Sequence, residues 1–407
     1  MRTRRSAALL LLGLAGCSSA STTAPGPPSG PPLAPRAELV AFTRLDDSVL
    51  VPVDVGGTTA LLQVDTGNPW VEVDPKVFPE APSHVGSVGM LSVESERLTN
   101  VQVVSQSSSC ASADEGGIRI GGFLGCTVLC KSIVSFDYRD VYFNLGRQEA
   151  PPDLLPETKI PFALEGGGTT VLNGFSVPTP PSRIVVSVAI EGVAHRMIVD
   201  TGASLVTVDQ AVFTSITKDG RPELSGGIAC TTSGPSKTTA ARVLTVSVAE
   251  AVVHDVVIAH DTAFDVTLER ISEDAGETIE GSLGGTFLDQ FYVTIDYPAG
   301  ELHLAPYADT SFALDPARLV GFSIKAKTGG GYVVSNVVLG TDAASKGVEV
   351  GDEILAIDGQ ELAPLALPEA TVLLFGNVGA TKMVHFGTAA KLDHMTVAIK
   401  VNEFLPT

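Results

Sequence analysis

The chain repeats itself. Laid on itself with an offset of 135 residues, the span 51–74 falls on 186–209, and ten of those 24 positions are identical. With an offset of 159, the span 124–145 falls on 283–304 without a gap, and eight of 22 positions agree. Two separate blocks recurring in the same order mean that one folding unit is present twice. The fold must therefore accommodate two equivalent units.

Each unit reads as strands and turns. Valines alternate with other residues in runs such as Val51-Pro52-Val53-Asp54-Val55, the period of a half-buried strand. A hairpin leads into a strand that ends in Asp65-Thr66-Gly67 or Asp200-Thr201-Gly202, and another strand follows at 70–73 or 205–208. Later come the turns Phe123-Leu124-Gly125 and Ser282-Leu283-Gly284, then a short amphipathic segment. Each unit closes with paired strands over 133–145 or 292–304, the second around the turn Pro298-Ala299-Gly300. A composition of 41 Gly and 26 Pro with only 18% charged residues fits this strand-and-turn reading better than a helical one.

Asp-Thr-Gly at the end of an apolar strand, followed later by an apolar-apolar-Gly turn, resembles the pepsin and retropepsin clan of aspartic peptidases. The run from Gly281-Ser282-Leu283-Gly284-Gly285-Thr286-Phe287-Leu288 to Asp296-Tyr297 is similar to the closing segment of a pepsin-type lobe. The resemblance implies a mainly β, bilobal acid-protease fold with one catalytic carboxylate from each lobe, Asp65 and Asp200, and no cofactor. Like charges that close cannot both ionise, so the pair holds one shared proton and can activate a water against a peptide carbonyl. The resemblance also implies that the two lobes are related by a pseudo-two-fold axis, the intramolecular form of a symmetric dimer interface, and that Thr66 and Thr201 interlock across it. Gly67 and Gly202 allow the backbones a close approach. The second motif continues Ala203-Ser204, as many retropepsin-like sequences do, whereas the first continues Asn68-Pro69-Trp70 where Ser or Ala is usual. Asn68 is expected either to donate to the carboxylate, as Ser would, or to distort the loop. No Tyr lies between Asp65 and Cys110 to serve as a pepsin-type flap residue. The glycine-rich stretch containing Gly86, Ser87 and Gly89 is the flap candidate, with Ser225-Gly226-Gly227 its counterpart. Trp70, the single tryptophan, is read as core.

Beyond Pro306 the pattern changes. The run Ala343-Ala344-Ser345-Lys346-Gly347-Val348-Glu349-Val350-Gly351-Asp352-Glu353-Ile354-Leu355-Ala356-Ile357-Asp358-Gly359 resembles the heart of a bacterial PDZ domain, a small α/β module. Such domains add an extended peptide to a sheet edge. The resemblance places a peptide carboxylate on backbone N–H groups near Leu319, Val320, Gly321 and Phe322, where a nest of donors suits an anion.

The first residues read as an address. Arg2, Arg4 and Arg5 precede an apolar stretch at 7–14 that is too short to span a membrane, and Leu14-Ala15-Gly16-Cys17 resembles a bacterial lipobox. That resemblance implies cleavage before Cys17, lipidation of its thiol, and a location in the bacterial cell envelope, on the periplasmic side or at the outer membrane. Residues 18–35 are uncharged and rich in Ser, Thr, Gly, Pro and Ala, a flexible tether. Cys110, Cys126, Cys130 and Cys230 allow three pairings, and an oxidising compartment favours disulfides over a zinc site. No metal ligand set is expected, since the seven histidines lack paired spacing beside these cysteines.

A net charge of −20 repels phosphate backbones and argues against a nucleic-acid partner. Neither a His-Glu-x-x-His zinc motif nor a Gly-x-Ser-x-Gly nucleophile elbow occurs. The expected organisation is leader 1–17, tether 18–38, first lobe 39–150, interlobe linker 151–181, second lobe 182–308 and PDZ-like module 315–405. The function read from it is peptide-bond hydrolysis on peptide or protein substrates outside the cytoplasm. The module would dock protein C-termini, and the alternative is a catalytically silent binding lipoprotein.

Overall fold

The structure, a computed structural model, describes residues 40–406 apart from 42, 46–47, 94–95, 107–119, 147–149, 173–174, 232–233, 311 and 328. The leader, the tether, Cys17 and Cys110 lie outside the described residues, as does the side chain of Cys230. Residues 37–407 form one compact unit.

That unit is built almost entirely of strands, and its symmetry is visible in one sheet. Six strands run in the order Val40–Ala41, Tyr142–Leu145, Ile133–Asp137, Phe291–Asp296, Glu301–Pro306, Thr158–Pro161. The two inner strands come from different lobes and pair antiparallel, with Ser135 opposite Thr294, Phe136 opposite Val293 and Val134 opposite Ile295. Ser135 and Thr294 are the very residues that the 159-residue offset superposes, so the pseudo-two-fold axis passes between them. Their hydroxyls meet across it at 3.1 Å. Alternation of the duplicated sequence sends Val134, Phe136, Val293 and Ile295 into the core beneath, all fully buried.

Above this shared floor each lobe carries its own sheet. In the first, strand Ser48–Val55 turns back into Thr58–Val64, which ends at Asp65. In the second, Arg183–Ile190 turns back into Val193–Val199, which ends at Asp200. The apolar alternation is strict enough that Val49, Val51, Val53, Ile184, Val186 and Val188 all point inward to one continuous core.

The lobes diverge after the strands that end at Asp65 and Asp200. Val55 pairs with Leu91 where Ile190 pairs with Val246, and Val71 pairs with Val103 where Val206 pairs with Ile258. Hairpin Val85–Val93/Glu96–Ser105 is thus the equivalent of Gly234–Val248/Ala251–Asp261. The second lobe has extra structure before it: helix Gln210–Thr217, capped by the Asp209 side chain, and strand Glu223–Thr231. That strand pairs with the first half of the long strand Gly234–Val248, making a second hairpin with a bulge at Ser225/Gly227.

The interlobe linker is not featureless. Its residues form a two-stranded hairpin, Gly168–Leu172 with Phe175–Thr179. Val177 of this hairpin is buried against Trp70 and Val104 of the first lobe. A crevice of about 280 Å³, bordered by Pro82, His84, Val85 and Val177, lies along that seam.

The C-terminal module has a separate core around Phe322, Ile324, Val334, Ile354, Val384 and Ile399. Its sheet runs Phe322–Ala326, Tyr332–Val337, Glu353–Ile357, Thr381–Phe386, Thr396–Lys400. The module is tied to the second lobe by Arg242, a fully buried side chain on strand Gly234–Val248. Its guanidinium donates to Leu405 O at 2.6 Å, to Asp315 Oδ1 at 2.8 Å, to Glu403 Oε1 at 3.1 Å and to Asp255 O. A buried guanidinium needs that many acceptors to offset its lost hydration. Cys126 and Cys130 form a disulfide across one turn of helix.

Candidate active site

The two Asp-Thr-Gly motifs meet at the axis. Each Asp is held at the end of its strand by a backbone bond to the apolar-apolar-Gly turn of its own lobe: Asp65 N to Leu124 O and Asp200 N to Leu283 O, both 3.1 Å. Those turns need glycine for a steric reason. A Cβ on Gly125 would lie 2.1 Å from Trp70 O, and one on Gly284 would lie 2.1 Å from Leu205 O. The close approach lets Cys126 N reach Asn68 O at 2.9 Å and Gly285 N reach Ala203 O at 2.8 Å.

Between the motifs, the buried threonines interlock. Thr66 N donates to Thr201 Oγ1 at 3.2 Å and Thr201 N donates to Thr66 Oγ1 at 3.0 Å. Each hydroxyl in turn donates across the axis, Thr66 Oγ1 to Val199 O and Thr201 Oγ1 to Val64 O, both at 2.8 Å. Four buried hydrogen bonds fix the loops against each other, and losing one partner would strand the other. A Cβ on Gly67 would come within 3.0 Å of Asp200 Cγ, and one on Gly202 within 2.7 Å of Asp65 Cγ.

The half-buried carboxyls of Asp65 and Asp200 hydrogen-bond to each other. Desolvation raises the proton affinity of both. Asp65 is pushed well above the ordinary range: after burial, the negative charges of Asp200 and Glu72 add to the effect, and the Gly67 N–H, 2.9 Å from Oδ1, opposes it. Asp200 is raised too, but more groups oppose the burial: the Gly202 N–H at 2.9 Å, Asp65 and the positive charge of Arg183.

Comparison with known proteins agrees with this geometry in two segments. The Aspartyl protease family matches residues 186–287, within the second lobe, and the PDZ domain family matches residues 311–384. The chain carries an aspartyl protease domain and a C-terminal PDZ domain. Among solved structures, an aspartic proteinase from Irpex lacteus is similar at 16% identity, with 68% of this chain and 98% of that chain covered and a TM-score of 0.45. A photosystem II D1 C-terminal processing protease is similar at 21% identity over 24% of this chain and 26% of its own, with a TM-score of 0.21. No curated protein sequence matches the chain.

In the first lobe, Asn68 takes neither of its expected roles. Its amide nitrogen donates to Glu72 Oε1 at 3.0 Å and its oxygen accepts from Trp70 N at 3.0 Å. The loop keeps the same turn as its partner, Asn68 N to Asp65 O and Ala203 N to Asp200 O, both 3.3 Å. Trp70 is buried against Val104 and Val177.

The flap candidates fall elsewhere than at a hairpin tip. Gly86 and Ser87 lie within strand Val85–Val93, paired with Val103 and Gln102, and Gly89 follows in the same strand. Gly56 N donates to Met90 O and Val55 pairs with Leu91, so this strand is part of the sheet and not a cover. In the second lobe, Ser225 and Gly227 flank the bulge of the hairpin Glu223–Thr231/Gly234–Val248.

In the PDZ domain, Leu319 pairs with Asn402 and bridges to Phe375, and Val320 N donates to Leu374 O at 3.1 Å. The Val320 donor is therefore committed inside the fold. Gly321 adopts φ +88°, and a Cβ there would meet Thr341 at 2.7 Å. Phe322 starts an edge strand whose paired neighbour is Tyr332–Val337, and Leu367 and Ala370 of helix Leu367–Val372 share its core.

Two charged residues beside the carboxyls escaped the sequence reading. Glu72 and Arg183 occupy positions where the duplicated unit has Thr207 and Ser48. A charge replacing a small polar residue inside otherwise matching strands was the available signal.

Proposed function

We propose that the chain is an aspartic endopeptidase that hydrolyses peptide bonds with a water activated between Asp65 and Asp200. The observation that carries this reading is the reciprocal Thr66–Thr201 lock, which holds two hydrogen-bonded carboxyls face to face on an axis built by sequence duplication. One carboxylate takes a proton from water as the water oxygen bonds to the scissile carbonyl carbon. The other carboxyl gives its proton to the carbonyl oxygen, and a gem-diol results. The C–N bond then breaks as the amine takes the proton first removed from water, and a diol hydroxyl returns its proton to the second Asp. The pair ends with one proton, as it began.

The PDZ domain supports docking of peptide tails, by addition to the edge strand Phe322–Ala326 beside helix Leu367–Val372. With Val320 N committed, the carboxylate of such a tail would be held by the donors after it. The leader supports a lipid anchor at Cys17 on the outer side of a bacterial membrane, where the enzyme meets envelope proteins or peptides. A second reading, a binding lipoprotein without catalysis, is favoured by one observation: the Asn68 side chain is spent on Glu72 and Trp70 and not on the carboxyl pair.

The deciding experiment is cleavage of a diverse peptide library by residues 36–407 from acid to neutral pH. We expect cleavage that Asp65→Asn and Asp200→Asn each eliminate while leaving the fold intact. Absence of cleavage at every pH would transfer the assignment to the binding reading. In the full-length chain, Cys17→Ser should move the protein out of the membrane fraction, and retention there would refute the anchor.

A further inference from the structure

The carboxyl pair is symmetric in backbone and asymmetric in charge. On the first-lobe side, Glu72 projects from strand Val71–Val73, between the buried Val71 and Val73, and is gripped by Asn68 Nδ2 at 3.0 Å. Asn68 sits in the Asp65 turn itself. On the second-lobe side the equivalent residues are Thr207 and Ala203, which carry no charge.

Arg183 breaks the symmetry the other way. Strand pairing sets Val185 opposite Ile198, and the same register continued brings Arg183 opposite Asp200. The first lobe has Ser48 at that place, whose hydroxyl lies 3.3 Å from Ser204 Oγ. Arg183 is 8% exposed. Its counter-ion, Asp274 of helix Thr262–Ala275, stands at 3.7 Å, beyond hydrogen-bond reach, and among the described residues Nε and Nη1 have no hydrogen-bond partner. A desolvated guanidinium so weakly neutralised projects its field onto the nearby carboxyls. The backbone donors are balanced, with Gly67 N on Asp65 Oδ1 and Gly202 N on Asp200 Oδ1, each at 2.9 Å, so the imbalance lies in the side chains.

We propose that Glu72 and Arg183 polarise the pair, keeping the shared proton on Asp65 and leaving Asp200 as the ionised partner that takes the proton from water. This rests on the peptidase reading only for its consequence, not for the charge pattern. Both residues are positioning residues: they act on the proton and not on substrate. The charged groups facing the pair are Glu72, Arg183 and, behind Arg183, Asp274 and Arg270 of the same helix. Tyr297, close to Asp65, stays neutral because burial pushes its hydroxyl well up.

A like charge beside Asp65 makes the last proton of the pair harder to remove. While Glu72 is ionised, the singly protonated pair therefore persists to higher pH than the two aspartates alone would allow. Burial raises the proton affinity of Glu72 itself, and the Asn68 amide opposes that.

The test is a ¹³C NMR titration of residues 36–407 labelled at the aspartate carboxyls, alongside the pH profile of kcat/KM. One aspartate should stay protonated furthest toward neutral pH, and its signal should be lost in Asp65→Asn. In Glu72→Gln, which keeps the acceptor for Asn68, its midpoint should fall by about one pH unit, and the alkaline limb of the activity profile should move with it. Arg183→Met should raise the lower midpoint and Arg183→Lys should restore it. A late-titrating signal lost in Asp200→Asn instead, or a midpoint unmoved in Glu72→Gln, overturns the proposal. Cleavage with an unpolarised pair would refute the polarisation alone. A polarised pair without cleavage would refute the peptidase reading and leave the polarisation standing.

Discussion

The two lobes share an Asp-Thr-Gly loop but not its surroundings. Everything that holds the loops in place is duplicated: the Asp-to-turn bonds, the threonine lock, the glycine close contacts and the hydroxyl pair at Ser135 and Thr294. The side chains around the carboxyls are different. The first lobe adds Glu72 and Asn68 and receives the linker hairpin against Trp70. The second adds Arg183, the extra strand Glu223–Thr231 and the Arg242 tie to the PDZ domain. Symmetry belongs to the backbone, which must bring two carboxyls together. Asymmetry belongs to the side chains, which must make two chemically identical groups behave differently.

The largest expected effect breaks the shared part in either lobe. Gly125→Ala and Gly284→Ala each put a Cβ 2.1 Å from a backbone oxygen in the turn that holds the Asp. Both should abolish a folded, soluble product, as judged by circular dichroism and gel filtration. A folded Gly284→Ala with native stability would show that the loops are less rigidly coupled than their geometry implies.

Next come the threonines. Thr66→Val removes the acceptor of Thr201 N and the donor to Val199 O, stranding two buried backbone groups at roughly 1–3 kcal/mol each. Thr201→Val does the same to Thr66 N and Val64 O. Chemical denaturation should give two nearly equal losses. A clear inequality would mean that the axis is not the mechanical centre of the molecule.

The smallest effect sharpens the electrostatic difference. Both aspartates bind protons more tightly when folded than when unfolded, since burial raises them. Their contribution to stability is therefore present at low pH and is lost as pH rises from the unfolded carboxylate range, near 4, through the folded values. Asp65→Asn and Asp200→Asn should each raise Tm at neutral pH and lose that advantage near pH 3. Each tenfold of proton affinity removed is worth about 1.4 kcal/mol. Asp65→Asn should gain more, because Glu72 repels the charge it removes. An equal gain would mean that the two sites feel the same field.

The offset that superposes the two Asp-Thr-Gly motifs was legible in the residues, and so was the mainly β body followed by an α/β module. The Asp-Thr-Gly turns and the glycines after them were legible because local sterics dictate them. The flap was not. Gly86, Ser87 and Gly89 look like a mobile tip, yet strand pairing with Val103 and Gln102 places them in a sheet. A glycine run marks backbone freedom without saying whether a partner strand uses it. The linker hairpin was missed for a related reason: Gly168–Leu172 and Phe175–Thr179 gain their place from Trp70 and Val104, which are remote in sequence.

By itself, then, the sequence determined what repetition and local chemistry can determine: two copies of one unit, a carboxylate at the end of a strand in each, and a separate module after them. Tertiary structure alone decided which charges surround those carboxylates. Glu72 and Arg183 act through space, across strands and across the axis, and Coulomb forces in a desolvated site depend on distance and burial, neither of which is written in the order of the residues.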